Sequence, residues 1–398
     1  MPPPNLKVTV AGIEMKNPLT VGSGTYGHHG CFSQFFSVET MGALFPKTIR
    51  NYRWPGNPPP RVLECPAGLH SAVGIPCNDW SWIVEHDLPV LRSLELPIVQ
   101  SVIGRTEDEY VEVARKCSEL GVYSGLELNL SCPNTKQGGI DFGYDPEASF
   151  KLMRRVREVT KLPVFAKLAP DFSALSTVAK AVEAAGADAI SMINAQRAMM
   201  IDHRTRKPMI GNKVGALSGA AIKPMAVYMV WEVYRAVKIP IVGMGGVTDF
   251  RDVIEFMAAG ARAVAFGTIN YIDPTALPRA LADLTRWLSE NGIDDVNRSR
   301  RRGSRGIGSR RRGRGRRSVA RACPCELKSS NPIRGEGSND EHEPSHVRPR
   351  RTRDHARAAR LRAASECSEN RRSAPAHRGA RPRKASSSGA STPSGPTR

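Results

Sequence analysis

The sequence predicts an α/β fold: a TIM (β/α)8 barrel with an N-terminal hairpin, followed by a disordered basic tail. Three observations carry that expectation. Short apolar runs recur eight times at strand length, amphipathic stretches separate most of them, and glycines stand where those stretches end. Parallel strands covered on both faces read this way, because burial on either side removes the apolar–polar alternation.

In chain order, residues 7–10 and 13–15 flank Ala11-Gly12 and read as a small hairpin. Eight candidate strands follow at 19–22, 43–47, 97–103, 126–130, 164–168, 189–193, 240–243 and 263–266. Between them, 107–120 sets Tyr110, Val111, Val113 and Ala114 on one helical face, and 173–185 repeats Leu175, Val178, Val182 and Ala185. Residues 221–237 and 249–259 keep the same period. Gly121, Gly186 and Gly260 each follow such a stretch, where a left-handed cap favours glycine. Two Pro/Gly-rich insertions, 51–79 and 131–144, follow the second and fourth candidate strands. From that position barrel loops build a catalytic face. A doubly wound open sheet is the alternative, but it needs a second domain for which little sequence remains.

The net charge of +20 over 398 residues raises nucleic-acid binding as a function class. Its location answers most of that. Residues 298–398 hold 28 basic and 8 acidic residues, whereas residues 1–297 hold 30 of each. The expected organisation is therefore a neutral barrel domain, 1–297, and an Arg-rich tail, 298–398. So charged and apolar-poor a segment does not offset its ordering entropy. Either it is an arm that attracts phosphate without sequence preference, or it is a GC-rich gene read in a shifted frame. The second reading is favoured, and resequencing the gene across codon 298 tests it. The eight cysteines form no disulfide framework, and no apolar signal or membrane segment opens the chain. A cytoplasmic protein is expected. Cys323-Pro324-Cys325 lacks a second pair at zinc spacing, so no metal site is expected.

Polar residues punctuate the strand ends: Lys47, Asn129, Lys167 and Asn194. Side chains at one end of successive parallel strands converge on a single crevice. The seventh and eighth candidate strands run into Gly243-Met244-Gly245-Gly246 and Gly267-Thr268, turns in which backbone N–H groups approach a phosphate. Cys132 follows the fourth strand in a loop with Gly138-Gly139. It reads equally as an inert buried cysteine or as a nucleophile or general base.

Asn129-Leu130-Ser131-Cys132-Pro133-Asn134, followed by Thr135-Lys136-Gln137-Gly138-Gly139, resembles the catalytic loop of class 1 dihydroorotate dehydrogenases. So do Asn17-Pro18-Leu19, Gly56-Asn57-Pro58-Pro59-Pro60-Arg61, Thr205-Arg206-Lys207-Pro208, Leu217-Ser218-Gly219-Ala220-Ala221-Ile222-Lys223-Pro224 and Gly243-Met244-Gly245-Gly246-Val247, in order across 5–295. The resemblance implies an FMN-containing TIM barrel that oxidises dihydroorotate to orotate in de novo pyrimidine biosynthesis. It assigns FMN to Ser23, Lys47, Thr48, Ser101, Asn129, Lys167, Ile193, Gly219, Gly245, Gly246, Gly267 and Thr268. It assigns the pyrimidine to Lys47, Ser71, Ala72, Val73, Gly74, Ile75, Asn129, Asn194 and Ala195. Cys132 would take the C5 proton while hydride leaves C6 for the flavin.

Thr135–Gly139 and the 201–224 region look most like class 1B, in which a partner subunit carrying FAD and a [2Fe–2S] cluster passes electrons to NAD+. Fumarate-reducing class 1A is the alternative. The resemblance implies a homodimer or a heterotetramer with that partner. Ser71 and Ser101 stand where the family usually has asparagine, and Ala195 where it has a hydroxyl residue. Two rival functions remain: a dihydropyrimidine dehydrogenase-like activity on uracil or thymine, and nucleic-acid binding through the tail.

Overall fold

The computed structural model describes residues 2–27, 32–130 and 142–298. Apart from Arg298, the expected tail lies outside the described residues. Strands β1 (Val8–Val10) and β2 (Ile13–Met15) form the expected hairpin, turning through Ala11 and Gly12 at φ 53° and 79°. After β3 (Leu19–Val21), the first insertion carries a second hairpin, β4 (Val62–Cys65) and β5 (Gly68–Ser71). Then come α1 (Trp80–Trp82), a π-turn, α2 (Leu88–Arg92), β6 (Val99–Val102), α3 (Glu107–Glu119) and β7 (Gly125–Asn129). The chain continues through α4 (Pro146–Val159), β8 (Val164–Lys167), α5 (Leu175–Ala184), β9 (Ala189–Met192), β10 (Gln196–Ala198) and β11 (Gly215–Ser218). It ends through α6 (Lys223–Ala236), β12 (Ile241–Met244), α7 (Phe250–Ala259), β13 (Ala263–Phe266), α8 (Ile269–Ile272) and α9 (Ala276–Glu290).

Seven strands make one parallel sheet in the order β3-β13-β12-β9-β8-β7-β6. The second candidate strand, 43–47, forms no ladder. It meets the β6 edge through isolated parallel bridges, Leu44↔Ile98 and Ile49↔Val102. On its other side the Gly42 N–H donates to the Leu19 carbonyl at 2.8 Å. It is the eighth stave and closes the cylinder between β3 and β6. Pro46 has no N–H to give, which interrupts pairing at the centre of the segment.

Helices lay one face on the sheet. In α3 that face is Tyr110, Val113, Ala114 and Cys117; Val111, expected there, is only partly buried. Thr106 caps α3 by accepting the Glu109 N–H. Asp249 and Asp252 form a reciprocal capping box on α7. Gly121, Gly186 and Gly260 take the left-handed conformation their positions require, at φ 65°, 99° and 121°. The β1–β2 hairpin packs beneath the sheet: a Cβ at Gly125, where β7 begins, would stand 3.1 Å from Ile13 Cδ1. Asn5 pairs with Asp295, and the buried Val296 donates its N–H to the Asn5 carbonyl at 2.9 Å. Residues 294–297, just before the expected tail, are thereby knitted to the start of the chain.

A four-stranded antiparallel sheet, β10-β11-β5-β4, stands at the other end. Sequence reading places loops there. Among the described residues no helix is long and apolar enough to cross a membrane.

Candidate active site

Parallel strands present their C-terminal ends on a common face. Asn129 ends β7, Lys167 ends β8, and Asn194 lies two residues beyond β9. Lys167, 5% exposed, donates to Ser23 Oγ at 3.0 Å, and its Nζ is 3.7 Å from Glu127 Oε1. Glu127 has no exposed surface and accepts from Ser23 Oγ and Ser191 Oγ, each at 2.7 Å. A carboxylate taken out of water needs such partners to offset its lost hydration. Asn194 Nδ2 donates to Asn129 Oδ1 at 3.2 Å, while Asn194 Oδ1 accepts the Ala195 N–H at 2.8 Å. Ala195, a departure from the family pattern, thus contributes its backbone N–H. The Tyr110 hydroxyl, buried on α3, donates to the Asn129 carbonyl at 2.6 Å and fixes that strand end from behind.

The opposite flank is made of glycine turns. Gly219, Gly245 and Gly246 have φ of 100°, 122° and 81°. A Cβ on Gly246 would stand 2.8 Å from the Gly219 carbonyl oxygen and 2.9 Å from Lys223 N. The turns after β11 and β12 therefore touch through backbone, which only glycine permits. Thr268 Oγ1 donates to Ser218 Oγ at 2.8 Å and ties in the turn after β13. A Cβ at Gly267 would meet nothing within 4 Å, so open space lies over that turn. Ile193 is buried, follows a cis peptide bond, and approaches Gly245.

Thr48 and Ser101, both buried, hydrogen-bond each other at 2.9 Å, so the serine hydroxyl faces the neighbouring stave. The segment 71–75 is braced by the first insertion. Asn57 donates its N–H to the Val73 carbonyl and its Nδ2 to the Ala72 carbonyl, each at 3.1 Å. Trp54 Nε1 donates to the Gly74 carbonyl at 3.0 Å. Ser71 lies on β5 opposite Ala216 of β11. Lys47 Nζ lies close to Gly24, and burial pushes the Cys77 thiol above its ordinary value against the opposing pull of the Arg50 N–H and the Lys47 and Arg50 charges.

Cys132 and its loop lie outside the described residues. The flanks of that loop are tied at the strand end. Gly143 N–H donates to the Leu130 carbonyl at 2.9 Å, Ser149 Oγ donates to the Phe142 carbonyl, and the Tyr110 and Phe142 rings meet edge to face at 5.7 Å. Sequence reading missed Glu127 and Ser191 as members of the site. Each was visible only as a polar residue inside a largely apolar run.

Residues 5–288 match the family model for dihydroorotate dehydrogenase. The chain is 44% identical over 290 residues to the dihydroorotate dehydrogenase B (NAD(+)) catalytic subunit of Desulforudis audaxviator, covering 73% of this chain and 94% of that protein. It is 44% identical over 306 residues to the subunit of the same name from a Geobacillus species, covering 76% and 98%. In fold alone it resembles a dihydroorotate dehydrogenase from Eimeria tenella solved with ferulenol, at a TM-score of 0.62 and 22% identity over 74% of this chain and 87% of that one. The strand-end groups, the glycine turns and these matches agree: the chain belongs to the dihydroorotate dehydrogenase family.

Proposed function

We propose that this chain is the catalytic subunit of an FMN-dependent dihydroorotate dehydrogenase of class 1B, converting dihydroorotate to orotate in pyrimidine biosynthesis. The observation that carries the cofactor is the pairing of three glycine turns, two in backbone contact and the third tied in by Thr268, with Lys167 and Lys47. The turns suit the phosphate of a flavin mononucleotide, and the ammonium groups suit a ring that gains negative charge on reduction. Bound FMN supplies the hydride acceptor. Asn129 and Asn194, already joined amide to amide, offer both donors and acceptors to a pyrimidine's amide edges, and the braced 71–75 segment completes the substrate side. Cys132 takes the C5 proton as thiolate, so oxidation quickens as pH rises toward the ordinary thiol value of ~8.5.

The test is anaerobic bleaching of the purified yellow protein by dihydroorotate, with dihydrouracil as a rival substrate. Cys132→Ala should retain FMN and lose about 10²–10⁴-fold in the reductive half-reaction. An unchanged rate, or faster bleaching by dihydrouracil, would overturn the assignment of base or substrate. The name shared by the matched relatives fits an electron-transfer subunit that carries FAD and a [2Fe–2S] cluster. NAD+ reduction only in its presence supports class 1B; fumarate reduction by the chain alone supports class 1A.

The same reading leaves nearly all of 298–398 outside the enzyme's fold, since 98% of the Geobacillus protein is matched within 76% of this chain. Chain shortened to 1–297 should keep its flavin spectrum and its activity. Losing both would refute that division, and nucleic-acid binding confined to the full chain would restore the tail as a binding arm.

A further inference from the structure

Glu127 is a buried carboxylate that the proposed chemistry leaves unused. It sits within β7 with no exposed surface, and it gathers groups from three other staves: Ser23 after β3, Lys167 at the end of β8, and Ser191 in β9. The bond directions are fixed. Ser23 donates its only proton to Glu127 Oε1, so its oxygen is left to accept from Lys167 Nζ at 3.0 Å, and Ser191 donates to the other carboxylate oxygen. The ammonium is thus oriented toward the carboxylate through a hydroxyl relay as well as by charge at 3.7 Å. A purely mechanical tie between staves does not need a charge. Burying an ion costs several kcal/mol, and packed neutral residues hold strands together as well.

We infer that Glu127 is the counter-charge of Lys167 and a positioning residue that tempers the positive field at the flavin ring, thereby setting its reduction potential. The inference rests on the proposed FMN site. Lys167 alone favours the reduced ring, which carries more negative charge; the nearby carboxylate subtracts from that preference. Inside the barrel, charges interact with little screening, so the subtraction is felt beyond the pair.

The experiment is a spectroelectrochemical titration of holoenzyme variants. Glu127→Gln keeps the shape and a partner for each serine while removing the charge. Its bound flavin should become easier to reduce by about tenfold in equilibrium constant, about +30 mV for a two-electron couple. Glu127→Asp, which keeps the charge, should return the potential most of the way to wild type. Ser191→Ala strips a donor from the carboxylate, leaves its charge less compensated, and should move the potential down. An unshifted or lowered potential in Glu127→Gln overturns the inference, as does a Glu127→Asp value equal to that of Glu127→Gln. If Glu127→Gln is insoluble, Ser191→Ala decides, and no downward shift there overturns the inference. A wild-type protein that holds no FMN refutes the cofactor reading instead, a distinct failure.

Discussion

At the N-terminal end of the cylinder the strands rest on Val8, Val10, Ile13 and Met15, aliphatic side chains of a hairpin with at most 8% exposure. At the C-terminal end equally buried positions hold Glu127, Asn129 and Lys167, joined by directional bonds of 2.7–3.2 Å. One end is fastened by volume, the other by hydrogen-bond direction and by backbone that only glycine can adopt. Substitutions should therefore fail differently at the two ends: loss of stability below, loss of cofactor or chemistry above.

The sharpest way to break the comparison is Gly246→Val. Its Cβ would press on the Gly219 carbonyl at 2.8 Å with φ at 81°, which costs at least about 2 kcal/mol and should weaken FMN binding about thirtyfold or more. Flavin retention after gel filtration measures it, and full retention would contradict the cradle. Ile13→Ala at the other end should cost about 2 kcal/mol of unfolding free energy while leaving the flavin spectrum and bleaching rate intact. A changed spectrum would show that the two ends are not independent. Tyr110→Phe removes the hydroxyl bond behind Asn129, worth about 1 kcal/mol. It should slow bleaching more than it lowers thermal stability, and the reverse order would make Tyr110 a packing residue only.

The smallest effect is a slope in pH. Burial holds the His70 imidazole on β5 below its ordinary value, against the opposing pull of the Ala216 backbone. The unfolded chain then binds more protons below about 6.5, so this contribution is complete above that pH and is lost as pH falls toward the folded-state value. His70→Leu should flatten the acid limb of a denaturation series, and an unaltered limb would remove the histidine from the account.

The parallel strands were legible because burial on both faces leaves a plain apolar run, and the helix ends because a left-handed residue selects glycine. The second candidate strand was legible as a stave but not as a ladderless one; that difference traces to Pro46. The antiparallel sheet was hidden. Its strands pair residues as far apart as Ser71 and Ala216, and polar His70, Gln196 and Arg197 break any local alternation. In the site, Lys47, Asn129, Lys167 and Asn194 were readable as punctuation at strand ends. Glu127 and Ser191 were not, since their meaning lies in a contact across 64 residues of chain. The expectation for Cys132 came from resemblance, and the residue lies outside the described part of the molecule.

The stitching of Asn5 to Val296 also has an engineering reading. Asn297 donates to the Lys7 carbonyl at 3.0 Å and accepts from Arg262 at 3.2 Å, just before β13 begins. Asn297 therefore lies at the N-terminal end of the strands, remote from the strand-end crevice. With head and foot of the barrel chain already adjacent, a short bridging peptide could join them and new termini could be opened elsewhere, so this scaffold is suited to circular permutation and to reporter fusions.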